Sequence, residues 1–271
     1  MLAFILPLKP RKESNDWSND NRMLKRSLSS LFGQTQRAYK IYVVYTDEPE
    51  ELIEHSQLEY LHFPFPFLEY DQVDAANPGE FLPNAKRLVE RRFDKGRKIM
   101  YGCIKAKADG CTYLMSMDAD DLVSNKLVAY IENNNMNGTV PGWYIPKGYV
   151  WKEGTKKLYR QFNMHLFNGS THIIHASKLP LPDMSSLHWQ FYNWFVAHGW
   201  TRIRCKDKLG IELQPIPFFA VVYVVHHTNI SSVSQVVSLR SLKGVLKRLI
   251  LRKRLTERIC AQFGIVTPHR S

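Results

Sequence analysis

The chain has 271 residues, of which 44% are hydrophobic, enough for one large core or a domain with an appendage. No run approaches the ~18 apolar residues that a membrane-spanning helix needs, and the apolar start MLAFILPL is too short for a secretory signal and lacks its basic flank. The four cysteines, Cys103, Cys111, Cys205 and Cys260, form no CxxC pair, which argues against zinc and a disulfide framework and favours a cytoplasmic setting.

The formal net charge of +12 is spread unevenly along the chain. From Ser231 to the end, nine Lys and Arg residues stand against one acid, Glu257. The body is therefore only mildly basic, and the last 41 residues need an explanation of their own.

The first 47 residues predict a strand, a helix and a second strand. Ala3 to Leu8 is an apolar run, and the helix that follows carries its apolar face up to Phe32, with Gly33 in a C-cap position. Lys40 to Tyr45 is rich in β-branched and aromatic residues, as a strand should be. This order predicts a βαβ unit with parallel strands.

The next segment predicts a short strand, a loop and a basic helix. Glu59 to Phe67 is a strand stopped by prolines, and residues 70 to 85 are loop-like. The helix begins near Lys86 and is closed by Gly110. Most of its cations are expected on a solvated face, while one or two, with Lys98 as the candidate, reach a diphosphate.

The sequence Cys111 to Leu122, CTYLMSMDADDL, holds the main functional signal. Thr112 to Met117 reads as a buried parallel strand that runs directly into Asp118, Asp120 and Asp121. Open α/β sheets bind ligands at the carboxyl ends of their strands, and two acids at this spacing can approach one hard cation and its phosphate oxygens. An alternative is that these acids only cap the helix that Ser124 begins.

Beyond Asn135 the pattern becomes that of short aromatic strands. A helix follows over the apolar positions Leu187 to Val196, closed by Gly199. Phe218 to His226 is another buried strand, which ends at His226 and His227. The basic tail is helix-like from Ser238 to Phe263, although its apolar face is imperfect.

Four segments carry a resemblance to a known family: FILPL near the start, SLSSLFGQTQRAYKIYVVYTD from Ser27, GCTYLMSMDADDLVSNKL from Gly110, and VYVVHHTNISS from Val222. In this order they resemble the A-type (GT-A) nucleotide-sugar glycosyltransferases, most closely the family-2 group. The resemblance implies an α/β, Rossmann-like, mixed but mostly parallel sheet flanked by helices over residues 1–232, followed by a basic helical tail, 233–271. It also implies a nucleotide-diphosphate sugar donor, with UDP-sugars favoured, and Mn²⁺ or Mg²⁺.

Several residues take roles from the resemblance. Asp118 would hold the ribose or sugar of the donor, Asp120 would ligate the metal, and His226 or His227 would complete metal or diphosphate binding. Pro7 would border the nucleobase. Asp47 is the candidate for a contact with the nucleobase. This assignment departs from the family pattern, because Tyr45 and Thr46 stand where the family usually has adjacent acids.

The catalytic base is the larger departure. Inverting members of the family place a Glu-Asp pair at the start of a late helix, where this chain has PDMSSLHWQFYNWF. His188 and Asp183 are the candidates, since either side chain can accept a proton from an acceptor hydroxyl. The alternative is that no base exists, because the enzyme retains configuration or is inactive.

The acceptor is expected to be a glycan or a lipid-linked saccharide. A basic helical tail can lie on anionic lipid, which would place the protein at the inner face of a membrane, or it can pack on the catalytic domain. Nucleic acid is not expected as a partner, because the acidic cluster repels phosphates in the absence of a metal. A basic binding module with a degenerate, inactive GT-A-like domain is the alternative function. A sugar nucleotidyltransferase is disfavoured, because LPLKPRKES lacks the glycines of a phosphate loop.

Overall fold

The computed structural model describes residues 1–81, 85–226 and 250–266, which form two sheets with helices packed against them. The first sheet has seven strands in the order β10-β6-β9-β4-β1-β2-β3. Their bounds are β1 Leu2–Pro7, β2 Tyr39–Tyr45, β3 Leu58–His62, β4 Tyr113–Ser116, β6 Gly142–Tyr144, β9 His172–His175 and β10 Gln214–Pro215. Strands β1 to β4 are parallel to their neighbours among themselves, and β9 runs antiparallel to β4 and β6.

The second sheet has five strands in the order β12-β8-β7-β11-β5. Their bounds are β5 Leu122–Val123, β7 Gly148–Lys152, β8 Lys157–Gln161, β11 Val221–Val225 and β12 Arg252–Arg254. The predicted α/β class, with a mixed sheet flanked by helices, is confirmed. The first sheet is mostly parallel as predicted, whereas in the second sheet β7 and β11 are parallel and the other described pairings are antiparallel. The sequence did not predict that five of the strands form a separate second sheet.

The helices are α1 Trp17–Phe32, α2 Tyr70–Ala76, α3 Lys86–Ala108, α4 Leu127–Asn134, α5 Asn193–Val196, α6 His198–Leu209 and α7 Glu257–Phe263. Alternation along β1 divides the core: Phe4 and Leu6 face the cluster that includes the apolar side of α1, while Ala3 and Ile5 face the cluster that includes α3. The sheet is thereby buried on both faces, as the apolar strands predict.

The central helix α3 packs closely on the sheet at Gly102. A methyl group there would lie 2.5 Å from the Ile5 side chain and 3.0 Å from that of Val44. This close approach fixes α3 over the first two strands, so that its N-terminal half lies at their carboxyl ends.

The structure corrects three predicted elements. Residues 70 to 85, predicted as a loop, include α2, whose first turn is closed by a reciprocal capping box between Glu69 and Gln72. The helix predicted over Leu187 to Val196 is replaced by a 3₁₀ turn, Trp189–Phe191, and the four-residue α5, and the long helix α6 follows instead.

The third correction concerns the C-terminal tail. Within the predicted helix Ser238 to Phe263, residues 252–254 form β12, which pairs antiparallel with β8, and a separate helix, α7, follows. Ile259 and Phe263 are buried in a cluster with residues of the second sheet. The described part of the tail therefore packs on the fold, while its residues 233–249 lie outside the described ranges.

Candidate active site

The acidic turn, Asp118–Asp121, lies between β4 of the first sheet and β5 of the second. It packs against α1, where the Ser27 hydroxyl lies 2.7 Å from the carbonyl oxygen of Asp121. The Ser30 hydroxyl accepts a 3.0 Å hydrogen bond from the Val123 amide. Small hydroxyl side chains on the buried face of α1 therefore satisfy backbone groups of the turn and of β5, which fixes the turn against α1.

Asp121 is fully buried beneath the turn. Its Oδ2 accepts hydrogen bonds from Asn168 Nδ2 at 2.7 Å and from Ser170 Oγ at 2.6 Å. Burial, with the nearby charges of Asp120 and Asp118, raises the pKa of Asp121 well above its usual value. Asp121 therefore supports the turn from inside and does not cap α4, whose N-cap position is Lys126.

Asp118 is positioned by the same support and by a cation. Its backbone N–H donates to Ser170 Oγ at 2.8 Å, so one hydroxyl connects Asp118 to Asp121. Its carboxylate forms an ion pair with Lys95 of α3. Burial lowers the pKa of Lys95, but the charge and the hydrogen bond of Asp118, together with the charges of Asp120 and Asp121, outweigh burial, and the pKa is raised.

Asp120 meets a residue from the far end of the chain. Its Oδ2 lies 2.9 Å from Nε2 of His226, which follows β11. The imidazole is 3% exposed, whereas the carboxylate is 27% exposed. The Arg26 guanidinium donates to the Asp120 carbonyl oxygen at 3.3 Å and is held by Glu153 at 2.7 Å.

These carboxylates line a cavity of about 430 Å³ at the carboxyl ends of β1 and β4. The cavity combines acids, cations and apolar side chains. Its lining includes Pro7, Lys9, Asp20, Met23, Phe67, Arg91, Arg92, Asp94, Lys95, Lys98, Asp118, Asp120, Phe167, Gly169, His198, Tyr223 and His226. A concave, partly apolar site with a few convergent polar groups is what small-ligand binding requires.

The cations of the cavity wall differ in whether they form an ion pair with another described side chain. Arg91 donates to the buried carboxylate of Glu13 at 2.7 Å. For Arg92, no ion pair or hydrogen bond occurs among the described residues. With Lys95, it forms the part of the wall that can meet an anionic ligand.

Lys98 lines the cavity, but its ammonium group is buried. It donates to Asp94 Oδ2 and to the Leu8 carbonyl oxygen, both at 2.9 Å. Burial lowers the pKa of Lys98 against the opposing charge of Asp94, and it raises the pKa of Asp94. The Lys98 ammonium group therefore connects α3 to the loop after β1. Lys95, one turn earlier in α3, is the cation beside the acids of the turn.

Among the predicted site residues that the structure describes, five line the cavity and three do not. Pro7, Lys98, Asp118, Asp120 and His226 all line the cavity. His227 lies outside the described ranges.

Asp47, Asp183 and His188 do not line the cavity. The Asp47 carboxylate accepts a 2.7 Å hydrogen bond from the Arg11 backbone N–H, so it holds the loop after β1. Asp183 is exposed and accepts from the Ser185 backbone N–H at 3.0 Å. His188 is also exposed, because the segment that holds it is a loop and not the predicted helix. The two predicted base residues are thus not brought to Asp118 and Asp120.

Sequence reasoning missed His198, Lys95 and Arg92 as site residues. His198 begins α6, and its pKa is lowered by burial and by the charges of Lys95 and Arg92, against the opposing charge of Asp118. Lys95 had a signal, because Arg91, Lys95 and Lys98 follow at helical spacing on one face of α3. His198 had none, since the pattern around it predicted the end of a helix.

The side chains present fit a divalent cation at Asp120. A carboxylate oxygen and an imidazole nitrogen are a donor set that suits Mn²⁺, and both line the cavity. Among the residues that the structure describes, no group of three or more His, Cys, Asp or Glu forms a complete metal site. Among the described residues, these two donors would supply only part of a cation's coordination shell.

No protein-family model and no curated protein matches the sequence. Similar solved structures include residues 1–349 of S. aureus TarS in complex with UDP-GlcNAc, at 11% identity and a TM-score of 0.47 over 86% of this chain and 61% of that one. A putative nucleotide-diphospho-sugar transferase from Desulfovibrio desulfuricans is 14% identical, with a TM-score of 0.38, over 92% and 93%. The 2-C-methyl-D-erythritol 4-phosphate cytidylyltransferase of Francisella tularensis is 11% identical, with a TM-score of 0.37, over 86% and 94%.

One of these neighbours is described as a putative nucleotide-diphospho-sugar transferase, and another contains UDP-GlcNAc. At such identities the similarity concerns the fold alone. The chain spans 61% of the TarS fragment.

Proposed function

We propose that the protein is a metal-dependent glycosyltransferase that moves a sugar from a nucleotide-diphosphate sugar to an acceptor hydroxyl. A UDP-sugar is the favoured donor, and a glycan or a lipid-linked saccharide is the acceptor. The observation that carries the proposal is the placement of Asp118 and Asp120 in one cavity, with His226 beside Asp120 and Lys95 beside Asp118.

The donor would lie along the carboxyl ends of β1 and β4. Pro7 borders the end of the cavity next to β1, where a nucleobase would lie, and Asp118 would hold the ribose or the sugar. Lys95 and Arg92 supply positive charge on the α3 side, where the diphosphate would lie. Charge-assisted hydrogen bonds to phosphate are stronger than neutral ones, so these two cations would contribute much of the donor affinity.

Asp120 and His226 would hold the cation, Mn²⁺ or Mg²⁺. A divalent cation at this place supplies positive charge to the leaving diphosphate, whose negative charge grows as the bond to the sugar breaks. Arg26, held between Glu153 and the Asp120 carbonyl oxygen, keeps the backbone of the acidic turn in position.

His198 is the proposed base for an inverting reaction, in place of His188 and Asp183. It lines the same cavity as Asp118, and burial lowers its pKa, which keeps its imidazole neutral near neutral pH. A neutral imidazole can accept the proton of an acceptor hydroxyl as that oxygen attacks the anomeric carbon.

Thermal unfolding with UDP-sugars, with and without Mn²⁺, tests the proposal. A UDP-sugar with Mn²⁺ should raise the Tm more than either alone, and Asp120→Asn should abolish that excess. Asp207→Asn is the control, because this exposed acid lies on α6 outside the cavity. An unchanged Mn²⁺-dependent shift in Asp120→Asn would refute the metal assignment.

Product analysis separates the reaction types. Incubation with UDP-GlcNAc and a saccharide acceptor should release UDP, whereas a nucleotidyltransferase would form or consume pyrophosphate. Release of pyrophosphate from a nucleoside triphosphate, without release of UDP from any UDP-sugar, would favour a nucleotidyltransferase. Tight binding to nucleic acid that weakens steeply with salt, with no response to UDP-sugars, would favour a basic binding module.

A further inference from the structure

Glu153 connects the supports of the two residues at the proposed cation site. It follows β7 of the second sheet, and its backbone N–H donates to the carbonyl oxygen of Val225 at 3.0 Å. Val225 is the last residue of β11 and directly precedes His226. The Glu153 carboxylate contacts α1, where its Oε1 accepts a 2.7 Å hydrogen bond from Arg26. Arg26 in turn donates to the carbonyl oxygen of Asp120 at 3.3 Å.

The Arg26 guanidinium carries a charge that needs a carboxylate partner. Its side chain is 14% exposed, and its Nε is buried with no hydrogen-bond partner among the residues that the structure describes. Arginine keeps its proton in proteins, so this charge is not removed by titration. A nearly buried charge without a partner is strongly disfavoured. If Glu153 did not hold Arg26, the guanidinium would therefore pair with another carboxylate within its reach.

Asp120 is the carboxylate that could take the place of Glu153. Burial and the charge of Arg22 lower the pKa of Arg26, and three acids oppose that shift through their charges, Glu153, Asp120 and Asp121. Asp121 is fully buried and its own pKa is raised, so it is a poor partner for a cation. The Asp120 carboxylate is 27% exposed, and Arg26 already contacts the backbone of the same residue. An ion pair between them would occupy the proposed metal ligand and would place a positive charge beside the metal position.

Glu153 is itself fixed, so it holds Arg26 in one position. Arg22 donates two hydrogen bonds to its carboxylate, at 2.6 Å and 3.0 Å, which is the strong bidentate geometry. The hydrogen bond from Arg22, with the charges of both arginines and of His226, outweighs burial and lowers the pKa of Glu153. Glu153 is therefore negatively charged at neutral pH and is the natural partner of Arg26.

We propose that Glu153 is a positioning residue that keeps Arg26 from pairing with the Asp120 carboxylate and so preserves the cation site. Neither Glu153 nor Arg26 lines the cavity, so both act through Asp120. The inference rests on the metal assignment of the proposed function. It adds that Arg26 competes with the cation once its own partner is removed.

A rescue experiment tests the proposal on the full chain. In Glu153→Gln, the Mn²⁺ concentration at half-maximal thermal shift, measured with UDP, should rise by about tenfold or more. The double variant Glu153→Gln/Arg26→Met lacks the competing charge and should return to within about threefold of the wild type. The turn keeps a contact with α1 in this variant, because the Ser27 hydroxyl lies 3.0 Å and 2.7 Å from the carbonyl oxygens of Ala119 and Asp121.

Glu51→Gln is the matched control. Glu51 also forms an ion pair with α1, to Lys25 at 2.8 Å, but it does not line the cavity. The Mn²⁺ midpoint of this variant should equal that of the wild type. If Glu153 only stiffened the acidic turn, the double variant would bind Mn²⁺ as weakly as Glu153→Gln or more weakly, and the proposal would be overturned.

Two further results separate this inference from the proposed function. An unchanged midpoint in Glu153→Gln, together with loss of the Mn²⁺ response in Asp120→Asn, would overturn the inference and leave the metal site in place. An Mn²⁺ response that Asp120→Asn leaves unchanged would remove the metal site and the inference with it. Circular dichroism verifies that each variant is folded. Arg26→Met alone provides a second test, since it should bind Mn²⁺ at least as tightly as the wild type, and weaker binding would contradict the proposal.

Discussion

The His226 imidazole lies 2.9 Å from the Asp120 carboxylate although 106 positions separate the two residues in the chain. Asp120 follows β4 of the first sheet, and His226 follows β11 of the second sheet. The two sheets therefore each supply one donor to the proposed cation site.

Replacement of His226 by Ala should weaken Mn²⁺ binding in the presence of UDP by about tenfold or more, because one of two protein donors is lost. The Mn²⁺ concentration at half-maximal thermal shift measures this change. His62→Ala is the control, since His62 is exposed at the end of β3. The same Mn²⁺ midpoint in the two variants would exclude His226 as a ligand.

Lys95→Met should raise the KM for the nucleotide sugar by about tenfold or more. The variant loses a charge-assisted interaction, and such interactions contribute about 1.5–3 kcal/mol. Steady-state kinetics and donor titration measure the effect. Lys107→Met, an exposed position near the other end of α3, should leave KM unchanged. A KM for Lys95→Met equal to that of Lys107→Met would remove Lys95 from the donor site.

Ser170→Ala should lower the free energy of unfolding by about 1–3 kcal/mol, because the buried Asp121 carboxyl loses a donor and the Asp118 amide loses an acceptor. Chemical denaturation measures the change. Ser29→Ala, on the exposed side of α1, should be close to neutral. If the two substitutions have the same small effect, Ser170 does not support the acidic turn as described.

Acidification should destabilise the protein through His165. Burial, with the positive charges of Arg202 and His198, lowers the pKa of His165 to about 4. The unfolded residue titrates near 6.5, so between these values the unfolded state binds more protons. The contribution of His165 is fully present above about pH 6.5 and is lost as the pH falls toward 4.

At pH 5.5 this effect amounts to about 1.4 kcal/mol, or about 3–6 °C in Tm. His165→Gln should therefore flatten the dependence of Tm on pH between 7.5 and 5.5, whatever its effect on absolute stability. His172 remains, and burial also lowers its pKa well below the usual value, so some dependence persists. An unchanged slope in His165→Gln would contradict the prediction, and His62→Gln is the control.

Phe263→Ala should lower the free energy of unfolding by about 3–5 kcal/mol, because its fully buried ring fills the cluster between α7 and the second sheet. Val266→Ala, at a position that is 82% exposed, should have little effect. Denaturant titration measures both. A loss below about 1 kcal/mol in Phe263→Ala would mean that the tail does not pack on the fold.

The strands that the sequence indicates most clearly are those whose side chains are apolar on both faces. Strands β1, β2, β4 and β11 are continuous apolar runs, since both faces of the strand are buried, and the acids after β4 lie where a strand must end. That pattern located Asp118 and Asp120, and the family resemblance added His226; the structure brings all three to one cavity.

The elements that sequence reasoning missed bury few side chains or are held mainly by backbone hydrogen bonds. Helix α6 buries only Thr201 and Cys205, so it has little apolar periodicity. Strand β12 consists of three cations that pair with β8 through backbone hydrogen bonds, which side-chain patterns do not encode. The position of His198 depends on α6, and the sequence therefore gave no way to place His198 in the cavity.

The acidic turn is also one of the places where the chain passes from one sheet to the other, since β4 belongs to the first and β5 to the second. Asp118 is anchored through Ser170, next to β9, and Asp120 through His226, after β11. A ligand that binds both carboxylates would therefore connect the two sheets at this turn, in addition to the apolar core that they share. Binding of a ligand to Asp118 and Asp120 would therefore stabilise both sheets and slow amide hydrogen exchange in strands far from the bound ligand.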